Sequence, residues 1–393
     1  MEKVISAKPS FGKNNSGKST LLRLPRLILH ALSARGRNGF PVKVDELTFG
    51  GRFVDLIHGG LTHGSISLGI VIDDEGERLD LNATVQNVQN MPPEAGQPKE
   101  FCVISHLRIA QPAINLEWEP RSKMVATYKG IGELPFRGLL PDIHRNDPAA
   151  SDWSFVKDWR ERAQSLEEQI SHLGPVRDEI PRVLEGGVAP PLGFGGFGAV
   201  ARLGQNGNLL DRVSSWFQEN MDAWRISLDY AGSAYKCLFQ RGDISVNLAD
   251  AGYGIQQVLP VVVQQLSHLA GDNNSVIDLL EQPELHLHAA AHAPLADLFL
   301  ETAKQGNCQV IVETHSENIL LRVRRRIAEG LDPSMVALYY VLEHPDGYSS
   351  VRPIAIEPDG NVDWWPEGVF SEGYEELKAI NKAQRLRLRN KKS

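Results

Sequence analysis

The stretch Gly12-Lys-Asn-Asn-Ser-Gly17-Lys18-Ser19-Thr20 has the spacing G-x-x-x-x-G-K-[ST]. Glycines at those positions let the backbone curl until successive N–H groups face an anionic oxygen cluster. A helix starting near Lys18 adds the positive end of its dipole. Gly12, Asn14, Asn15, Ser16, Gly17, Lys18, Ser19 and Thr20 are therefore candidate phosphate-cradling residues. Lys18 would reach the β- and γ-phosphates, and the Ser19 hydroxyl would ligate Mg²⁺. A Gly/Asn-rich turn with a helix cap explains the same residues more blandly, so the context must decide.

Further on, four features follow one another. Asp250-Ala-Gly252-Tyr-Gly254-Ile-Gln256-Gln257 is a Gly-rich turn opening a helix. Ser275-Val-Ile-Asp-Leu-Leu-Glu281-Gln282-Pro283-Glu284 is an apolar strand ending in carboxylates. Leu285-His286-Leu-His288 comes next, and Gln309-Val-Ile-Val-Glu313-Thr-His315-Ser316 is a second buried strand ending in His-Ser. Apolar strands that deliver polar groups at their C-terminal ends imply a parallel sheet with the site along one edge. His286 and His288 are two residues apart, a step that suits neither a helix face nor a typical zinc site. Each feature alone has a bland explanation as a turn or a cap; their order behind a phosphate loop is the signal.

The elements that must hold these groups are legible to different degrees. Leu21, Leu22, Leu24, Leu27, Ile28 and Leu32 give the helix after the loop its apolar face, and Pro25 should kink its second turn. Ser65–Asp73 alternates as a strand, and 101–145 reads as an antiparallel sheet region. Across 151–173, Trp153, Val156, Trp159, Ala163, Leu166 and Ile170 recur at helical steps. Gly174–Gly207 is too rich in Gly and Pro for regular structure. Leu209–Trp224 reads as a helix, followed by strands at Ile226–Tyr230, Tyr235–Gln240 and Ile244–Leu248. Residues 376–393 have a helical pattern and end in a basic tail. Met1–Phe11, broken by Pro9, makes a poor strand. The first ten or so residues are thus expected to be irregular beside an under-filled sheet edge, as in an N-terminally shortened member of its kind.

The chain has 393 residues, 42% hydrophobic and 23% charged, with a net charge of −8. This is ordinary for a soluble protein and argues against a wholly basic nucleic-acid binder. No run approaches the roughly 18–20 apolar residues of a membrane span. Cys102, Cys237 and Cys308 lack metal spacing and read as reduced thiols of a cytoplasmic protein.

Taken together, these motifs resemble the ABC-type ATPase heads, close to the overcoming-lysogenization-defect (OLD) group of AAA-family ATPases and to structural-maintenance-of-chromosomes heads. The resemblance covers Gly12–Thr20 and nearly everything from His172 to Phe370, including His172-Leu-Gly-Pro-Val-Arg177 and Trp365-Pro-Glu-Gly368. It implies an α/β P-loop NTPase head with an antiparallel β subdomain and a helical, Gly/Pro-rich insertion. The implied division is an N-terminal lobe over 1–150, the insertion over 151–225, a C-terminal lobe over 226–375 and the tail over 376–393. Lys18 and Ser19 would hold phosphate and Mg²⁺, and Glu281 would be the metal-side carboxylate. The segment Asp250–Gln257, with Gly252 and Gly254, would cap the γ-phosphate of ATP held by a second copy, making a homodimer. A Cβ at Gly252 is expected to meet unfavourable backbone angles. His315 would sense the γ-phosphate, and His288 falls in the stretch corresponding to the D-loop.

One departure concerns the base. The place of the usual catalytic carboxylate is taken by Gln282, an amide that can orient water but not accept its proton. Glu284 is the nearest replacement; the alternative is no dedicated base and slow turnover. The implied function is Mg-dependent ATP hydrolysis that gates a separate effector, for instance in phage defence. An OLD-like nuclease component and a slowly hydrolysing sensor or DNA-clamp component remain as alternatives. Arg322, Arg324, Arg325 and Arg326 form a basic run that suits either DNA or a solvated helix face.

Overall fold

The computed structural model of the chain describes residues 8–12, 16–33, 40–61, 63–74, 77–90, 99–111, 114–118, 136–142, 155–271, 277–305, 308–366, 369–370, 376 and 378–384. Strand β1 (Lys8–Gly12) leads to helix α1 (Lys18–Ser33), which runs on through Pro25, and to a small hairpin of β2 (Lys43–Val44) and β3 (Leu47–Thr48). Then come β4 (Ser65–Asp74), β5 (Glu77–Asn90), β6 (Lys99–Gln111) and β7 (Ile114–Trp118). A short pair, β8 (Phe136–Arg137) and β9 (Leu140–Pro141), precedes α2 (Phe155–Glu168) and β10 (Ile170–Leu173). The middle of the chain holds β11 (Leu184–Glu185), α3 (Ala199–Gln205), α4 (Gly207–Asn220), β12 (Arg225–Ala231), β13 (Ala234–Arg241) and β14 (Ile244–Asn247). It closes with α5 (Tyr253–Leu269), β15 (Ile277–Glu281), α6 (His292–Gln305), β16 (Gln309–Glu313), α7 (Glu317–Ala328), β17 (Leu338–Glu343) and β18 (Ser349–Ile354).

The central sheet has the order β10-β15-β16-β1-β17-β18 and is parallel except for β18. Strands buried on both faces favour continuous apolar runs, which Ile277–Leu280 and Val310–Val312 nearly supply, and the polar residues gather where the strands end. The antiparallel sheet β4-β5-β6-β7 alternates as expected for one covered face: Leu79, Leu81, Ala83 and Val85 are buried, with Ile104, Leu107 and Ile109 beside them. This face packs with α1 and α2 into one core, and a second core surrounds α5. Inside that second core the Asp278 carboxylate on β15 accepts hydrogen bonds from Gln264 (3.0 Å) and Gln265 (2.8 Å), with His268 at 2.9 Å. Three polar groups of α5 thus tie that helix to β15, because a buried carboxylate is tolerable only when its lone pairs are met. Among the described residues no helix is long and apolar enough to cross a membrane.

Three expectations are corrected. Lys8–Gly12 is a central strand, not irregular chain: Lys8–Ser10 pairs with β16, and Ser10–Gly12 pairs with β17. Pro9 precedes the β17 pairing, so its missing N–H costs the sheet at most one ladder bond; residues 1–7 lie outside the described part. The amphipathic helix ends at Glu168, and Ile170 belongs to β10, whose pairing with Ile277 overrides the helical period; Trp153 lies outside the described residues. The Gly/Pro-rich segment does contain regular structure, namely α3 and β11. It folds onto itself through Gly174 N–H to Phe194 O (2.9 Å) and Asp178 N–H to Gly195 O (2.8 Å), burying Leu192, Val200 and Leu203. Of the C-terminal segment, 378–384 is helical, and the basic tail from Arg385 lies outside the described residues.

Candidate functional site

The phosphate loop leaves the end of a central strand and turns directly into a helix. Gly12 is the last residue of β1, and Lys18 is the first of α1. Gly17 has φ +89°, a left-handed value that glycine alone adopts at little cost, and its carbonyl takes the first helical bond from Leu21 N–H (3.0 Å). Ser16 is buried with its hydroxyl unpartnered. Such an orphan immediately before a helix N-terminus fits a phosphate oxygen. Lys18 is also buried; burial lowers its ammonium pKa, and the charge of Glu313 works against that. Thr20 is exposed, while Asn14 and Asn15 lie outside the described residues.

Two carboxylates stand side by side at the ends of adjacent parallel strands, because Glu281 and Glu313 are register partners. Both are buried. Arg23, on α1, grips Glu281 with two bonds, Nε to Oε1 (2.7 Å) and Nη2 to Oε2 (2.6 Å), and His172 Nε2 lies 2.8 Å from Oε1. Burial pushes the Glu281 carboxyl up, but the bonds from His172 and Arg23 and Arg23's charge outweigh it and hold the group below the ordinary range. Glu313 goes the other way: burial raises it, the neighbouring Glu281 charge adds to the rise, and hydrogen bonds to Ser19 and Gln282 only partly offset this. Its Oε2 is buried without a partner. The Ser19 hydroxyl, hydrogen-bonded to Glu313, and the neighbouring Glu281 carboxylate are oxygen donors of the kind a hard divalent cation takes. Removing Arg23 would leave Glu281 a buried charge supported by His172 alone. Arg23→Ala is expected to cost on the order of 2–3 kcal/mol, read from chemical denaturation; an unchanged midpoint would show that the pair contributes nothing.

Glu284 is placed differently from its neighbour. It is buried, and its Oε1 accepts from Thr314 Oγ1 (2.8 Å) and from the backbone N–H of His315 (2.7 Å). Burial raises its pKa against these bonds and the Arg177 charge, and Oε2 has no partner. The half-buried His315 ring has its pKa lowered by burial and then by the charge of Lys18, so the two share one site. Gln282 adopts φ +44°, and its N–H donates to Glu313 O (2.8 Å), turning the chain sharply after β15. His288 is exposed and serves as a local cap, accepting from Ala290 N–H (3.3 Å). His292 bridges this stretch to the His315 loop: Nδ1 is 2.8 Å from Ser316 Oγ, and Nε2 is 3.3 Å from Leu287 O.

The Gly-rich turn before α5 is held by Gln256, which donates to Ala249 O (3.2 Å) and Ala251 O (3.1 Å). Asp250 pairs with Arg182 (2.7 Å). No side chain among the described residues caps α5 at Gly252, and in the first turn of this 17-residue helix the Ile255 N–H already donates to Gly252 O (2.9 Å). Gly252 has φ −54°, and a Cβ there would meet nothing within 4 Å, which corrects the expected backbone penalty. Gly254 is the restrictive position, since a Cβ would fall 2.4 Å from His286 O.

Arg177 joins the two halves. It is buried; its guanidinium donates to Glu281 O (3.0 Å), and Gln257 brackets its backbone with bonds of 2.9 and 3.0 Å. Burial lowers its pKa to about 10 against the charges of Glu284 and Glu281. The described structure thus brings Lys18, Ser19, Glu281, Gln282, Glu284 and His315 to one end of the sheet. Sequence reading missed Arg23, His172, Arg177, His292 and Glu313 as working groups. Glu313 had a local signal, its place at the end of an apolar strand, and His172 and Arg177 stood in a stretch that carries the resemblance. The basic run is already engaged: Arg322 and Arg326 with Asp297, Arg325 and Arg326 with Glu329, and Arg324 with Gly360 O.

Residues 197–320 match the family model of an AAA ATPase domain, AAA_15, and 331–380 match DUF3696, a protein family of unknown function. No curated protein matches the sequence. Among solved structures, the chain is similar to the SmcHead bound to the C-winged helix domain of ScpA, at 13% identity over 90% of this chain and 91% of that one, TM-score 0.46. It is also similar to the SMC head domain from Thermotoga maritima, at 12% identity over 89% and 90%, TM-score 0.40. A third is the Pyrococcus furiosus Smc head domain with an extended coiled coil bound to the C-terminal domain of ScpA, at 12% identity over 96% and 94%, TM-score 0.38.

Proposed function

We propose that the chain, whose residues 197–320 match an AAA ATPase domain, binds ATP at Gly12–Thr20, hydrolyses it with Mg²⁺, and uses the ATP-bound state to close two heads on each other. The observation that carries this reading is the convergence of a buried Lys18 and an orphan Ser16 hydroxyl with Glu281, Glu313 and His315. Phosphoryl transfer to water needs positioning and charge neutralisation more than covalent chemistry. Lys18 and the loop amides would neutralise the phosphates, and Ser19 and Glu281 would hold Mg²⁺. When bound, that ion would neutralise β- and γ-phosphate charge. Glu284, anchored to the His315 backbone, fits a positioning role. Glu313, with a raised pKa and a free oxygen, fits the proton acceptor that Gln282 cannot be.

Glu313→Gln is therefore expected to lower kcat on the order of 100-fold with ATP binding retained, and Glu284→Gln to lower it less. A larger loss in Glu284→Gln would move the base to Glu284. The N-terminus of α5, without a side-chain cap, supports the second part, since a γ-phosphate from a facing copy would meet the Tyr253 and Gly254 N–H groups. Closure could then gate a separate effector, in defence or elsewhere. ATP-driven closure with no phosphate release in a malachite green assay would instead identify a nucleotide sensor, the reading that the amide at Gln282 favours.

A further inference from the structure

We infer that the chain has a second ligand site, a cleft along the open edge of β10 that takes a small carboxylate or phosphate carrying a hydroxyl or amino group. β10 ends the central sheet, so among the described residues one side of its backbone has no strand partner, and a cavity of about 400 Å³ lies there. Its walls come from separate parts of the fold: Arg26 on α1, the β2–β3 hairpin, the edge of β10, the Pro191–Phe194 loop and Arg202 on α3. β15 and β16 separate this edge from β1, which feeds the phosphate loop, and Lys18, Ser19, Glu284 and His315 do not line the cleft. The volume falls within the roughly 300–1,000 Å³ of small-molecule pockets.

The chemistry of the lining selects the ligand. The His172 side chain is 0% exposed and lines the cleft; Nε2 lies on Glu281, and Nδ1 is buried with no partner. With Nε2–H donated to Glu281, Nδ1 is an acceptor and needs an O–H or N–H. Arg26 Nε is likewise buried and unpartnered, although its Nη2 holds Asp45 (2.5 Å). Arg202 has no ion-pair partner among the described residues, and burial lowers its pKa while Asp278 opposes the fall. These donors call for an anionic oxygen group. The acidic groups nearby are engaged elsewhere or exposed. Asp45 is taken by Arg26, Asp278 receives Gln264, Gln265 and His268, and Glu46 and Glu168 are exposed. A ligand bonded to Nδ1 would fix the imidazole, whose ring also meets Phe194 edge-on at 4.9 Å, and with it the hold on Glu281. That last coupling rests on the ATPase reading; the binding site does not.

The probes are inorganic phosphate and citrate, titrated by calorimetry into full-length Lys18→Ala protein so that the phosphate loop does not compete. One-to-one binding of at least one probe is expected, weakened at least tenfold by adding Arg202→Ala and partly kept by Arg202→Lys, with unfolding midpoints unchanged. Preference for phosphate or citrate tells the two anion classes apart. No binding of either probe, or binding indifferent to Arg202→Ala, overturns the site. In the unaltered protein the probe that binds should change ATP turnover, and Arg202→Ala should abolish that response while leaving basal turnover intact. Binding without any change in turnover overturns the coupling, whereas absent basal turnover overturns the ATPase reading and leaves the site standing.

Discussion

Lys18→Ala should weaken ATP binding on the order of 1,000-fold, since an ammonium bridging two phosphates makes charge-assisted bonds of about 2 kcal/mol each. Lys18 is buried within the site and already electrostatically coupled to Glu313 and His315. Its loss therefore removes the cation without removing a surface charge that solvent could replace. The fold should survive, because the loop geometry is set by Gly17 and by the strand behind it. Calorimetric titration with ATP checks this, and unchanged affinity would sink the nucleotide reading.

Gly252→Arg should abolish ATP-driven closure while leaving ATP binding within a few-fold of the starting protein. Gly252 has ordinary backbone angles and open space around its Cβ position, so one head accommodates the side chain without strain. The arginine would occupy the ground in front of α5 where the facing copy's γ-phosphate is proposed to sit. Gly254→Ala makes a useful contrast, because its Cβ strikes His286 O and should disturb a single head. Cross-linking across the site reads the difference, and equal closure in Gly252→Arg and the unaltered chain would refute the sandwich.

The parts of this site legible in the sequence are those defined over short range. The phosphate loop, the Gly-rich turn before α5 and the two strands ending at Glu281 and Glu313 each announce themselves within ten residues. Pairs closed by the fold do not. Nothing near Arg23 says that it will grip Glu281, and nothing near His172 says that β10 will lie beside β15. Likewise, Pro9 argues locally against a strand, yet two flanking strands supply enough pairing to overrule it. The arginine run of α7 looked like a free basic face only until Asp297 and Glu329 were brought to it.

The most direct test of the central claim is phosphate release from Mg-ATP, measured per chain over a range of protein concentrations. If two heads must close around the nucleotide, the specific rate rises with concentration to a plateau and disappears in Lys18→Ala. A rate that is absent in the unaltered chain, or that persists in Lys18→Ala, would contradict the account.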